Sequence, residues 1–536
     1  MSDLTLRGQG DTGSCVAGHA GPVGRRRGLV LLAVGAALFL SMLDTTVVTV
    51  ALPDLQRHSA IAVSDLQWVV NGYLVVFAAL TLAGGALADR LGRRRLLVAG
   101  LVVFAVGSVV TAGSDPLGGW DGVRVGRIVQ GLGAALSEPA TLAVVRRTYD
   151  DDAERSRALG VWAAVAGFAI AVGPVVGGLL VALGGWRAVF WANVPLAAVA
   201  VVLVLAFVPE SSDRGRRSFD VPGLVLGAVA LGAVSYGLIE AQQRGFADTA
   251  VVTALALSVL TGVGFVVVEA VTPEPSLPLP VVLGRRTLGP NAAALAASFT
   301  VFAVFFFVSL DLQTVGDADA LGTAAVFLPM TVVIVAGALV AGRWSAARGP
   351  TEPMVLGLLL AAGGLLLTDR TLGVDPSLPP VALALLVVGT GLGLVLAPAA
   401  DAVLSSVGPE QAGVAAATVN LARQTGGLLA VGVLGVIAVG RLDDSLETSL
   451  VRLKVPVLLR PYVRNLVQRP GATGSGRRAR GGTSLVDRIV DGARGAFVSG
   501  SHAALLLSAG TLVVAALLCL LGAARRAPTA STTMDR

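Results

Sequence analysis

Stretches of about twenty consecutive apolar residues recur fourteen times along this chain, and few folds can accommodate that pattern. A helix rises about 1.5 Å per residue, so twenty residues match the roughly 30 Å hydrocarbon core of a bilayer. The runs are 29–50, 66–88, 95–113, 121–143, 157–181, 187–208, 221–240, 249–269, 291–312, 321–341, 353–370, 379–402, 411–440 and 499–523. Hydrophobic residues make up 54% of the 536-residue chain and charged residues 14%, more apolar sequence than the core of a soluble fold can bury. Glycine is abundant at 67 residues and aromatics are 5%, so the runs are built from small and aliphatic side chains that let helices approach closely in lipid. The expectation is an all-α membrane protein with about 14 transmembrane helices.

Arginine sets the expected orientation. With both termini cytoplasmic, 20 arginines fall in the tails and alternate loops on the inner side. The short loops opposite carry 5: Arg57, Arg124, Arg187, Arg244 and Arg370. The positive-inside rule therefore reads N-in and C-in. The net charge of +6 is topological, which excludes a nucleic-acid partner. Lys454 is the only lysine, a usage typical of GC-rich bacterial genomes, and the expected location is the bacterial inner membrane. Segment 441–498 breaks the charge rule with ten arginines, but loops of that length translocate largely regardless of charge. Within it, Leu450–Leu466 suits a membrane surface and Ser484–Phe497 a short helix entering the last span. Gly471–Gly482 reads as disorder, with a soluble binding domain as the alternative. Arg25, Arg26 and Arg27 precede a full-length span without a small-residue cleavage site, which reads as a retained span and not as a signal peptide.

Several chemistries are not expected. Cys15 and Cys519 make no disulfide framework, and His19, His58 and His502 are too scattered for a metal cluster. Gly389-Thr-Gly391-Leu-Gly393 sits inside an apolar run with no lysine, so it does not read as a nucleotide loop, and no Walker motif supplies an ATPase. No cofactor and no enzymatic activity are expected.

Two short basic turns are related. Gly85-Ala-Leu-Ala-Asp-Arg-Leu-Gly-Arg-Arg-Arg95 follows span two, and Ala341-Gly-Arg-Trp-Ser-Ala-Ala-Arg-Gly-Pro350 follows span ten. Matching turns at matching places imply two related halves with spans seven and eight inserted between them.

Six segments, in order, resemble the major facilitator superfamily, and specifically its fourteen-span drug–proton antiporters. Leu43-Asp-Thr-Thr-Val-Val-Thr-Val-Ala-Leu-Pro53 is similar to the family's first-span motif. Gly85–Arg95 is similar to its loop motif, with Asp89, Gly92, Arg93 and Arg94 in place. Arg127, Gln130 and Gly131 match the fourth span. Gly173-Pro174 with Gly177-Gly178 matches the fifth-span antiporter motif, and Trp186-Arg187 to Asn193-Val-Pro195 the turn into span six. Gly413 to Gly427, ending Asn420-Leu-Ala-Arg-Gln-Thr-Gly, resembles the penultimate-but-one region of the same family. Three departures stand out. The second turn lacks the acid of the first, Ala169 replaces a typical glycine, and Glu138 occupies a position usually apolar.

The resemblance implies a two-bundle architecture with two extra central helices: a tail 1–28, a bundle 29–208, inserted helices 221–269, a second bundle 291–523 that includes loop 441–498, and a tail 524–536. It implies a monomer that exchanges protons for a small-molecule substrate, exporting an antibiotic or drug. Uptake or facilitated diffusion of a metabolite is the alternative, and a receptor or enzyme on the same scaffold is a third class.

Charged groups inside apolar runs carry the chemistry, since each costs about 3 kcal/mol or more unless paired or wet. Asp44 lies about 22 Å into span one and Arg127 about 9 Å into span four from the opposite side, so the two are level. They form either the exchange site, where a proton, a substrate and Arg127 compete for one carboxylate, or a structural ion pair. Glu138 precedes Pro139, where the helix is expected to open; it either takes up a proton or cationic drug, or snorkels to the boundary. Arg423, with Asn420 and Gln424, lies about 18 Å into span thirteen and suits an anionic substrate or a partner carboxylate. Tyr73, Asn71 and Gln130 are expected to line the cavity, with Trp68 either there or anchored at the interface. Asp311 and Gln313 are expected near the outer end of span nine, Asp311 as an interfacial residue. The turn of Gly85, Asp89, Gly92, Arg93 and Arg94 reads as a gate that breaks when the halves rock, against a purely topogenic basic loop. Gly173, Pro174, Gly177 and Gly178 read as a close-packed seal.

Overall fold

A computed structural model of the chain describes residues 22–524, apart from 60–62, 115–119, 150, 213–219, 274, 276, 278, 375, 408–411 and 461–484. The described residues are overwhelmingly helical and contain no strand. In order, the elements are α1 (Pro22–Ser59), α2 (Val63–Leu91), α3 (Arg93–Ala112), α4 (Trp120–Thr148), α5 (Asp152–Phe207), α6 (Val221–Arg244), α7 (Thr249–Val271), the short α8 (Leu279–Val282) and α9 (Leu288–Ala303). The last runs through a π-helical turn, Val304–Val308, into α10 (Ser309–Thr314). Then come α11 (Ala320–Arg348), α12 (Thr351–Thr371), α13 (Leu378–Leu404), α14 (Ala412–Arg452) and α15 (Leu485–Ala524). Aspartates start several of them: Asp151, Asp220, Asp248 and Asp319 each accept a hydrogen bond from a backbone N–H of the first turn, satisfying donors that a helix start leaves open.

Among the described residues, twelve helices are long and apolar enough to cross a membrane, against fourteen apolar runs in the sequence. One crossing-length stretch, Arg157–Phe207, holds 51 residues and contains two of those runs. It is broken where Gly184 and Gly185 leave helical geometry, Gly185 with φ of 69°, a conformation that glycine tolerates without a Cβ clash. The second arm restarts at Trp186, whose N–H donates to Asp54 Oδ2 at 2.9 Å. α2 contributes only the shorter apolar stretch Leu66–Thr81.

The region expected to be a loop from residue 441 begins instead as helix, because α14 continues to Arg452. Leu442, Leu446 and Leu450 recur every four residues along it and pack against Ile489, Ala493 and Ala496 of α15. That stripe prolongs both helices as a pair beyond the bundle. Past it, Val457–Leu459 makes one 3₁₀ turn with Leu458 92% exposed. Residues 461–466 of Leu450–Leu466, all of Gly471–Gly482, Cys15 and His19 lie outside the described residues.

Helices α1 to α5 pack as one group and α9 to α15 as another; the apolar core of the first runs on into α9, α14 and the π-helical turn, and a second core lies within the other group. They meet where α5 lies on α11, α2 on α14 and α1 on α10. The inserted α6 packs on both α2 and α14, with α7 outside it, so it covers one seam between the groups. There Gln67 and Gln242 exchange a reciprocal amide pair, at 2.9 and 2.7 Å, which leaves neither amide unsatisfied in an apolar setting.

Candidate transport site

Close helix packing creates the first cluster. Gly100 and Gly107 of α3 oppose Gly133 and Gly126 of α4, where any side chain would meet backbone atoms. The two helices therefore touch directly, and Ser108 Oγ accepts from Gln130 Nε2 at 2.8 Å. Gln130 Nε2 also approaches Asp44 Oδ1 at 3.3 Å. Arg127, one turn earlier, donates Nη1 to Asp44 Oδ2 at 2.5 Å and to Gln130 Oε1 at 3.0 Å, and Nε to the Val69 carbonyl at 2.6 Å. Its guanidinium lies over the Tyr73 ring, 4.6 Å from the centroid. Asn193, from the second arm of α5, completes the set by donating Nδ2 to Asp44 Oδ1 at 2.7 Å. Asp44 and Arg127 are 0% and 1% exposed. An ion pair so buried is tolerable only because nearly every lone pair and N–H around it is engaged. A proton arriving on Asp44 must displace one of three donors: a guanidinium or one of two amides.

The second cluster joins the two groups of helices. Glu138 of α4 is buried, and its Oε1 accepts from Asn420 Nδ2 of α14 at 2.9 Å. Arg423, one turn further along α14, is the cation whose field reaches Glu138. Glu138 Oε2, Arg423 Nε and Gln424 Nε2 are buried without a hydrogen-bond partner, as are, on α2, both side-chain polar atoms of Asn71. Unsatisfied groups of this kind are rare in finished packing and gather where a polar ligand or water belongs. The expected opening of α4 at Pro139 is not found, since the helix runs unbroken through it. The proline ring packs beside Gly85, and Thr141 bonds the Glu138 carbonyl at 2.6 Å. Neither snorkelling nor a helix break describes Glu138; it is a buried carboxylate between the two groups.

The predicted gating residues fall at two levels. At the basic face, which carries Arg26, Arg27 and Arg147, Gly92 adopts φ of 107° between α2 and α3. Glu210, just after α5, accepts from the Arg94 N–H at 3.3 Å, and Arg93 N–H bonds the Ser211 carbonyl at 2.9 Å. The side chain of Asp89 lies outside what the structure describes. Towards the other face, Gly173 and Gly177 pack on Thr46 and Val47 of α1, while Gly178 packs on Ala320 and Ala324 of α11. Pro174 sits inside α5 without breaking it. Gln313 Nε2 donates to the Val50 carbonyl at 3.2 Å and Thr331 Oγ1 to that of Ala171 at 2.6 Å. The contacts at the basic face thus stay within the first group of helices, whereas those towards the other face join the two groups.

Some placements differ from expectation. Tyr73 is fully buried against Arg127 and donates to the Ser41 carbonyl at 3.2 Å, so it supports the ion pair and lines no cavity. Trp68, half-buried, packs on Tyr236 of α6. Asp311, three residues short of the end of the crossing stretch Leu288–Thr314, is enclosed by protein and 0% exposed. Ser108 and Glu210 join the site without being singled out by the sequence, and Asn193, read there only as part of the motif at the turn into span six, joins it as a partner of Asp44. Asn193 alone carries a signal there, an amide within an apolar run.

Residues 34–431 match the family model of the Major Facilitator Superfamily. The chain is 34% identical to the tetracenomycin C resistance and export protein of Streptomyces glaucescens, covering 77% of this chain and 76% of that protein. It is 36% identical to the puromycin resistance protein pur8 of Streptomyces alboniger (77% and 82% covered) and 30% identical to the multidrug resistance protein Stp of Mycobacterium tuberculosis (91% and 90% covered). Among solved structures, it resembles a POT family transporter in complex with 5-aminolevulinic acid, with a TM-score of 0.62 at 13% identity over 92% of this chain and 96% of that one. It also resembles an inward-facing bacterial homolog of the human lysosomal transporter Spinster, with a TM-score of 0.60 at 16% identity over 94% and 99%. These two likenesses concern the fold alone.

Proposed function

The chain belongs to the Major Facilitator Superfamily, and on that premise we propose that it is a proton-driven exporter of a small organic compound of the antibiotic or drug class. The observation that carries this reading is the buried Asp44–Arg127 pair, held by Gln130 and Asn193. A proton and Arg127 compete for the same carboxylate oxygens. Protonation displaces one of these donors and loosens the charge-held guanidinium, which then rearranges; loss of the proton restores the set. Coupling that exchange to the movement of one bundle against the other moves protons one way and substrate the other. Glu138, Asn420, Arg423, Asn71 and Gln424 supply the polar wall that a substrate meets between the bundles. Gly85, Asp89, Gly92, Arg93 and Arg94 act as the inner gate, and Gly173, Pro174, Gly177 and Gly178 as the outer seal.

In this reading the protein crosses the inner membrane fourteen times as a monomer with both termini cytoplasmic, the basic face inside. The bundles are 29–208 and 291–523, and the inserted pair 221–269 closes one side. It performs no enzymatic reaction. The resistance and export functions named for the relatives favour efflux over uptake. The test is a susceptibility panel in an efflux-deficient bacterial host, including puromycin and tetracenomycin C. Raised resistance to at least one compound is expected, together with collapse of an acid-inside gradient when that compound is added to everted vesicles. Resistance without any effect on the gradient would exclude proton coupling.

A further inference from the structure

Asp311 stands apart from both clusters. It is 0% exposed, inside the membrane-crossing stretch Leu288–Thr314. Ser501 Oγ of α15 approaches Oδ1 at 3.4 Å, and Oδ2 has no partner. The charged groups on the elements packed against it are engaged elsewhere. On α15, Arg494 pairs with Asp317 at 3.4 Å and His502 with Asp369 at 2.5 Å. On α1, Asp54 holds Arg57 and His58 at 3.1 and 3.6 Å. At the start of α11, Asp319 caps the Gly322 N–H. The contrast with Asp44 is complete: that carboxylate has a guanidinium and two amides, this one a single distant hydroxyl. A lone charge in such a place is costly, whereas the neutral acid is not.

Two further observations place Asp311 where it can be reached. The π-helical turn Val304–Val308 ends three residues before it. The residue such a turn inserts rotates the downstream residues by about 100° around the helix axis, and it is this rotation that sets Asp311 towards α15. Two residues on, Gln313 donates to the Val50 carbonyl of α1, a contact between the bundles that must part when this end opens. We propose that Asp311 is a second proton-binding carboxylate, separate from Asp44, carried as the neutral acid in this conformation and opened to water when the Gln313–Val50 contact separates. It extends the proton-coupled reading, but its protonation is observable without transport.

The test is infrared spectroscopy of the full-length protein in lipid at neutral pH, with and without carbon-13 aspartate labelling. The wild type is expected to show a protonated-carboxyl stretch that shifts on labelling. That band is lost in Asp311→Asn, which keeps an oxygen to accept from Ser501, and kept in Asp44→Asn. Ser501→Ala, which removes only the hydroxyl, moves it to higher frequency. An aspartate band that is absent, or that persists unchanged in both Asp311→Asn and Ser501→Ala, overturns the proposal. Either result is independent of whether transport is proton-coupled.

Discussion

Asn420 of α14 donates to the Glu138 carboxylate of α4 at 2.9 Å, a hydrogen bond between residues 282 positions apart in sequence that ties one bundle to the other. Because the bond must break when the bundles part, its two ends are expected to behave differently on substitution. Glu138→Gln keeps an oxygen for Asn420; Glu138→Ala leaves Asn420 unpaired and Arg423 without its nearby carboxylate. We expect Glu138→Ala to lose about 1–3 kcal/mol of stability and Glu138→Gln to lose less, measured by thermal unfolding in detergent. Equal losses would mean that the hydrogen bond contributes little.

The small residues on α5 make a steric prediction. A side chain at Gly178 meets the Ala320 carbonyl and the Ala324 side chain of α11. Gly178→Leu should therefore wedge the bundles apart at the end opposite the basic face. A single cysteine placed at Gln313 should then react faster with an impermeant maleimide in cells, by severalfold relative to the same cysteine in the Gly178 background. Unchanged labelling would show that this contact does not hold the seam.

Gly92 makes a local one. Its φ of 107° is unfavourable for any residue with a Cβ, and a Cβ there would press on the Glu210 carboxylate, 2.7 Å from Oε1. Gly92→Ala is expected to cost about 1–2 kcal/mol and to slow export at normal expression. Glu210→Ala in the same background should restore part of the stability by removing the clash; no recovery would place the strain in the backbone alone.

Much of this was legible in the sequence, for reasons that differ by residue. The helices follow from apolar run length, and the pairing of Asp44 with Arg127 from counting depth along two helices, a calculation that needs only the helix rise. The fate of Asp311 was not legible. Depth counting put it near an interface, but the π turn and the packing of Ser501 on α15, 190 residues away in sequence, decide its burial. Asn193 reaches Asp44 only because the break at Gly184–Gly185 redirects the second arm of α5. The continuation of α14 depends on leucines that read as a loop until their partners on α15 are known.

The proposed orientation is tested by a cysteine near residue 475. With 441–498 outside, it should react with impermeant maleimide in intact cells. Labelling only after lysis would reverse the placement of that segment and the fourteen-crossing reading with it.

The central claim is that Asp44 couples proton entry to substrate exit. Asp44→Asn fixes the group in a neutral form that still accepts from Asn193 and no longer holds Arg127 by charge. The measurement is export of whichever drug the wild type confers resistance to, into everted vesicles, at a series of pH values. The variant is expected to bind the drug and exchange it downhill, to accumulate none against a gradient, and to show rates independent of pH. If Asp44→Asn still accumulates drug uphill while Glu138→Gln does not, coupling belongs to Glu138 and the Asp44–Arg127 pair is structural.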